Sequence, residues 1–107
     1  MLEGRCMRNI IAVHTEPSNS NHLEHITRLK WVETARAGER ASGQTPQEST
    51  RAQMYAFVKD NKDQAYAISR NDDVYVFLEA VNGAHVQYVK TEPDSTRLDN
   101  LLSLDRF

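Results

Sequence analysis

The dipeptide Asn82-Gly83 lies between two β-rich runs, Val74 to Val81 and Ala84 to Thr91, and it constrains the fold more than any other feature of the chain. Both central positions of a type I′ turn need positive φ, which asparagine and glycine tolerate, so the sequence predicts a tight antiparallel hairpin. With Val81 facing Ala84, the ladder puts Phe77 opposite Tyr88 and Glu79 opposite Val86 on one face, and Val76 opposite Val89 and Leu78 opposite Gln87 on the other. Both faces carry apolar side chains, which predicts a hairpin central to a sheet.

The remaining elements follow from periodicity. Arg8 to His14 contains Ile10, Ile11, Ala12 and Val13, a short branched run that reads as a buried strand. After the turn-forming text TEPSNSN, His25 to Val32 alternates Thr27, Leu29 and Trp31 with Ile26, Arg28, Lys30 and Val32, completing a hairpin with a longer loop. Thr45, Pro46, Gln47 and Glu48 match a capping box, predicting a helix from there to about Asp60. Its stripe is Ala52, Met54, Tyr55, Phe57 and Val58, and Asn61-Lys62 is the stop. Gln64 to Ser69 is a further strand, followed by a turn at Asn71, Asp72 and Asp73. Leu98, Leu101, Leu102 and Leu104 predict a helical turn or an apolar tail packed over the sheet. The fold class is therefore α+β: an antiparallel sheet of about five strands, in the order β-β-α-β-β-β, covered on one face by one amphipathic helix.

At 107 residues the chain reads as a single domain spanning 1–107. Its 39% hydrophobic content is low for a packed domain, and two segments account for that: a loose N-terminus at 1–6 and a mobile loop at 33–44, ETARAGERASGQ, without a large apolar side chain. The net charge of -2 hides a first half with seven Lys/Arg against six Asp/Glu and a second half with six against nine. Neither half is the basic field of a general nucleic-acid binder. No run approaches the length of a membrane span, and Ile10 to Val13 is too short for a signal-peptide core, so a cytoplasmic location is expected. The single cysteine, Cys6, cannot form an internal disulfide.

Few residues carry recognisable chemistry. There is no G-x-S-x-G, no P-loop and no glycine-rich dinucleotide turn, and the pairs Asp72/Asp73 and Asp60/Asp63 fall in wet turns that would not tune a carboxylate. No catalytic residue and no cofactor is expected. Arg28 and Lys30, with Arg36, Arg40 and Trp31, would form a small phosphate-binding strip with one stacking platform. Against that stand Glu33 and Glu39 in the same stretch and the strand alternation, which sends Trp31 to the opposite face. His14, His22 and His25 would suit Zn²⁺ only if they converge, and their spacing lacks a zinc-site pattern, so no metal is expected.

The text YVKTEPDSTRLDNLLSL, from Tyr88 to Leu104, resembles the C-terminal signature of a small bacterial family of domains of unknown function. That signature is an aromatic, a basic residue, Thr, a variable residue and Pro-Asp, then a spacer and Asp-Asn-Leu-Leu-Ser-Leu-Pro. It falls on Tyr88, Thr91, Pro93, Asp94, Asp99, Asn100, Leu101, Leu102 and Leu104, with weaker agreement at the first strand, at His25 and Ile26, and around Trp31. Asp105 stands where the family has proline, a departure that would loosen the tail. The resemblance implies a compact bacterial or phage domain with no assigned reaction. Thr91, Asp94 and Asn100 read first as turn and cap residues and second as a polar recognition site. The expected function is a non-enzymatic binding module whose partner is another protein, self-association included, acting as an inhibitor or regulator. A nucleic-acid-associated domain using Arg28, Lys30 and Trp31 is the alternative.

Overall fold

A computed structural model describes residues 7–18, 20, 22–40, 43–68, 75–91, 101–102 and 104–107. The first six residues, the turn at Asn71–Asp73, and Leu98, Asp94 and Asn100 lie outside the described residues. In chain order the elements are β1 (Met7–Thr15), a 3-10 turn (Leu23–His25), β2 (Ile26–Thr34), β3 (Gln47–Thr50), α1 (Arg51–Asp60), β4 (Ala65–Ile68), β5 (Tyr75–Asn82), β6 (Gln87–Thr91) and β7 (Asp105–Arg106). The α+β class holds, but the sheet has seven strands, in the order β3-β2-β1-β4-β5-β6, with β7 beside β1. Nor is it wholly antiparallel. The expected hairpin β1-β2 forms, while β4 and β7 both run parallel to β1, β4 along Arg8–Ile10 and β7 along Ala12–Val13. No helix among the described residues is long and apolar enough to cross a membrane.

The unexpected β3 moves the start of the helix. Gln47–Thr50 pairs antiparallel with β2, and buried Ser49 accepts a hydrogen bond from the Trp31 indole N–H at 2.9 Å. A four-residue polar strand carries no hydrophobic alternation, so only its pairing with β2 defines it. The capping box lies five residues later than predicted: Gln53 N–H donates to Thr50 Oγ1 at 3.1 Å and Thr50 N–H to Gln53 Oε1 at 2.9 Å. Asn61 is the C-cap as expected. Met54 and Val58 are buried, one turn apart, with Tyr55 and Phe57 packed beside them. Ala52 is exposed instead of extending the stripe, because two residues from Met54 means about 200° around the helix.

The helix packs against β2, β3, β5 and β6, and β6 also meets the 3-10 turn, so the sheet curls around α1. The core lies on that concave side: Ile10, Val13, Leu29 and Trp31 from β1-β2, Ala65 and Ala67 from β4, and Leu78 and Val89 from the ribbon, against Met54 and Val58. Leu101 and Leu104 join it, as expected of an apolar tail. At its margin the Arg8 guanidinium lies 4.0 Å from the Trp31 ring centroid and 3.6 Å from that of Phe57. This stacking ties helix to sheet through a cation whose stem is apolar. Burial lowers the Arg8 pKa from its ordinary value, and Glu33, directly across β2, acts in the opposite direction.

The β5-β6 hairpin forms, but at one end of the strand order rather than centrally, and with a different register. Asn82 faces Gln87, and Leu78, Glu79, Ala80 and Val81 face Thr91, Lys90, Val89 and Tyr88. Neither Asn82 nor Gly83 has positive φ, so the turn is not type I′; Gly83 N–H closes it on the Val86 carbonyl at 3.1 Å. Glycine is required there for space, since a Cβ would come 2.7 Å from that carbonyl and 2.9 Å from the Tyr88 ring. The shift is even, so the predicted division of residues between the two faces survives.

Replacing Thr50 with alanine removes the observed cap and is expected to cost about 1 kcal/mol, whereas Thr45→Ala should stay within about 0.5 kcal/mol. Urea unfolding of both variants checks the assignment, and the opposite ranking would return the helix start to Thr45.

Candidate functional site

The convex face of the sheet, away from α1, is divided by one buried phenol. Tyr66 is fully buried on β4, and its hydroxyl donates to the Glu39 carbonyl at 2.6 Å while lying 2.7 Å from the Thr34 hydroxyl and 3.2 Å from the Arg36 carbonyl. Asn9 Nδ2–H reaches the same Glu39 carbonyl at 3.3 Å. The Glu39 carboxylate accepts from the Ala35 and Arg36 backbone N–H groups, at 2.9 and 3.2 Å. This part of the 33–44 segment thus supplies backbone acceptors over the middle of the sheet rather than apolar side chains to the core. Gly38 completes the seat: its φ is +89°, and a Cβ would stand 2.9 Å from the Tyr75 ring. Burial raises the Tyr66 pKa.

On one side of this seat lies the outer face of the β5-β6 ribbon. Tyr66, Tyr75 and Phe77 form a chain of edge-on ring contacts at 5.7 and 5.6 Å. Tyr75 is 43% exposed and is the one large hydrophobic side chain classed as exposed among the described residues. Phe77, Val81 and Tyr88 are partly exposed on the same face, with Glu79 and Lys90 directly across from one another. The surface therefore combines rigid aromatic area with a polar pair, a composition suited to protein contact. Sequence alternation places these residues together, but nothing in the sequence marks Tyr75 as left uncovered.

On the other side of the seat lie Arg28 and Lys30. Arg28 is 3.5 Å from the Glu48 carboxylate of β3, and Lys30 faces Glu48 across the ladder and stands 4.5 Å over the Phe107 ring. The basic strip is therefore met by an acidic neighbour that the sequence had assigned to the helix. Trp31 points to the concave side, is 5% exposed and is engaged by Ser49 and Arg8, so its ring is no stacking platform for a ligand of Arg28 and Lys30. Thr91 is buried on β6 opposite Leu78, away from the strip in strand order. Asp94 and Asn100 lie outside the described residues; of the four expected binding residues that are described, Arg28 and Lys30 share a surface and Trp31 and Thr91 do not join them.

His22 and His25 pair with one another, and His14 has other partners. The His25 ring lies 5.2 Å from that of His22, and its Nδ1 is 2.6 Å from the Ser20 hydroxyl. His14 instead lies 3.3 Å from Glu16 and hydrogen-bonds to the Phe107 oxygen. No group of three His, Cys, Asp or Glu side chains able to hold a metal occurs among the described residues. Near them Arg106 donates to Thr15 Oγ1 and to the carbonyls of Ser18, Ser20 and Leu102, all at 3.1 to 3.2 Å, fastening β7 to the β1-β2 connection. Asp105, at the position of the resembled family's proline, begins that strand.

Among known proteins, the family model described as protein of unknown function (DUF3892) matches residues 9–105. No curated protein and no solved structure matches.

Tyr66→Phe leaves the Glu39 carbonyl short of a donor and is expected to cost about 1–3 kcal/mol in chemical unfolding. The folded state holds the phenol proton more tightly than the unfolded chain, so Tyr66 makes stability fall as pH rises above the unfolded value of about 10. The gap between wild type and Tyr66→Phe should narrow from pH 9 to about 11; a constant or widening gap would contradict the buried, hydrogen-bonded phenol.

Proposed function

The chain belongs to the DUF3892 family, and we propose that it is a small non-enzymatic module, of bacterial or phage origin, that binds another protein through the convex face of the β5-β6 ribbon. The observation that carries this reading is the exposed Tyr75 ring, held edge-on between Tyr66 and Phe77 and supported from beneath by Gly38. An aromatic side chain kept both exposed and immobilised loses little conformational entropy when a partner covers it. Bound in this way, the module would act as an inhibitor or regulator of its partner. The alternative, a nucleic-acid site on Arg28 and Lys30, is disfavoured by the ion pair of Arg28 with Glu48, which also faces Lys30 across the ladder, and by the inward position of Trp31.

The test is a nuclease-treated pulldown from the native host, with the captured protein's affinity then measured against variants. Tyr75→Ser should weaken binding by about tenfold or more in a variant that stays folded under the assay conditions, its unfolding midpoint lowered by the lost ring contacts to Tyr66 and Phe77. Arg28→Glu with Lys30→Glu should change it little. Binding that survives Tyr75→Ser but falls steeply with salt and vanishes in the Arg28/Lys30 variant would transfer the function to nucleic acid or an acidic ligand.

A further inference from the structure

The concave side of the same ribbon carries a second feature. Val58, Leu78 and Ala80 line a half-open pocket of about 270 Å³ together with Lys59, Lys62 and Glu79. Val58 and Leu78 belong to the core, at 5% and 1% exposure, so the floor is preformed and apolar. The volume is smaller than the roughly 300–1,000 Å³ that encloses a whole small-molecule ligand, and suits a single large side chain. Pockets of this kind receive the anchor residues of protein interfaces.

The rim decides which segment would supply the anchor. Glu79 faces Lys90 across the ladder and, by strand alternation, shares the convex face with it. Lys59 and Lys62 have no ion-pair partner among the described residues. Lys59 stands in the last turn of α1, where a cation also balances the helix dipole, but Lys62 lies beyond the C-cap and has no such duty. Asp60 and Asp63, their neighbours in sequence, do not line the pocket. The pocket therefore joins an apolar floor to two cations that are unpaired among the described residues.

We propose that this pocket receives one leucine-sized side chain from an acidic segment of the partner protein, an inference that rests on the protein-binding reading above. The probe is a capped pentapeptide with a central leucine flanked on each side by two glutamates, titrated into the ¹⁵N-labelled full chain. Amide shifts should concentrate at Val58, Lys59, Lys62, Leu78 and Ala80. Exchanging the central leucine for alanine should weaken binding by about tenfold or more, since the anchor supplies most of the affinity. The double variant Lys59→Glu, Lys62→Glu should lose the glutamate peptide and gain the corresponding lysine-flanked peptide. Absent shifts at millimolar peptide, shifts elsewhere, or affinity indifferent to both the alanine exchange and the charge reversal would overturn the proposal. If the peptide fails while a captured partner still depends on Tyr75, the pocket assignment falls and the protein-binding reading stands; if both fail, both fall.

Discussion

The hydroxyl of Tyr66 is the interaction on which the convex face depends. A phenol buried in the middle of a sheet must hydrogen-bond, and here its partners are the end of β2 and the backbone of the segment that follows. Satisfying one buried donor therefore positions 35–40 across β4, places Gly38 under the Tyr75 ring, and divides the outer face into two regions. One region is charged, around Lys30 and the Arg28–Glu48 pair; the other is aromatic and partly uncovered, around Tyr75, Phe77 and Tyr88. The functional reading follows from that division.

The concave face is organised by β1. One of its edges takes β2, and the other is shared in succession by β4 and β7, which brings the end of the chain back to the first strand. Side chains that suggest chemistry in the sequence are absorbed by this architecture. Trp31 bonds Ser49 and stacks on Arg8, and Thr91 lies inside β6. What remains available is the outer ribbon face, with the small pocket where β5 meets the end of α1.

Wherever hydrophobic alternation was strong, the fold was legible. β1, β2, the helix stripe at Met54 and Val58, the Asn61 cap, and the face assignments of β5 and β6 all follow from periodicity. β3 was not, because Gln47, Glu48, Ser49 and Thr50 are polar and imitate a helix start when read without β2 beside them. The Asn82-Gly83 dipeptide marked the correct connection for the wrong reason: its glycine admits the Tyr88 ring and the Val86 carbonyl, and the loop is longer than a type I′ turn. The parallel pairing of β4 and β7 with β1 is a long-range choice that no local pattern encodes. As for the site, the positive charges of Arg28 and Lys30 were visible in the sequence. The approach of Glu48 to Arg28 and the exposure of Tyr75 depend on which elements become neighbours.

The central claim is that the segment 35–40 is seated on Tyr66 and Tyr75 and so shapes the outer face of the ribbon, the surface proposed to meet a partner. It is tested most directly by a NOESY spectrum of the free protein. The account predicts contacts between the Gly38 α protons and the Tyr75 ring, with those protons shifted upfield by the ring current, and a slowly exchanging Tyr66 hydroxyl proton close to Thr34. Gly38 resonances at unstructured-chain positions, without contacts to the Tyr75 ring, would contradict it.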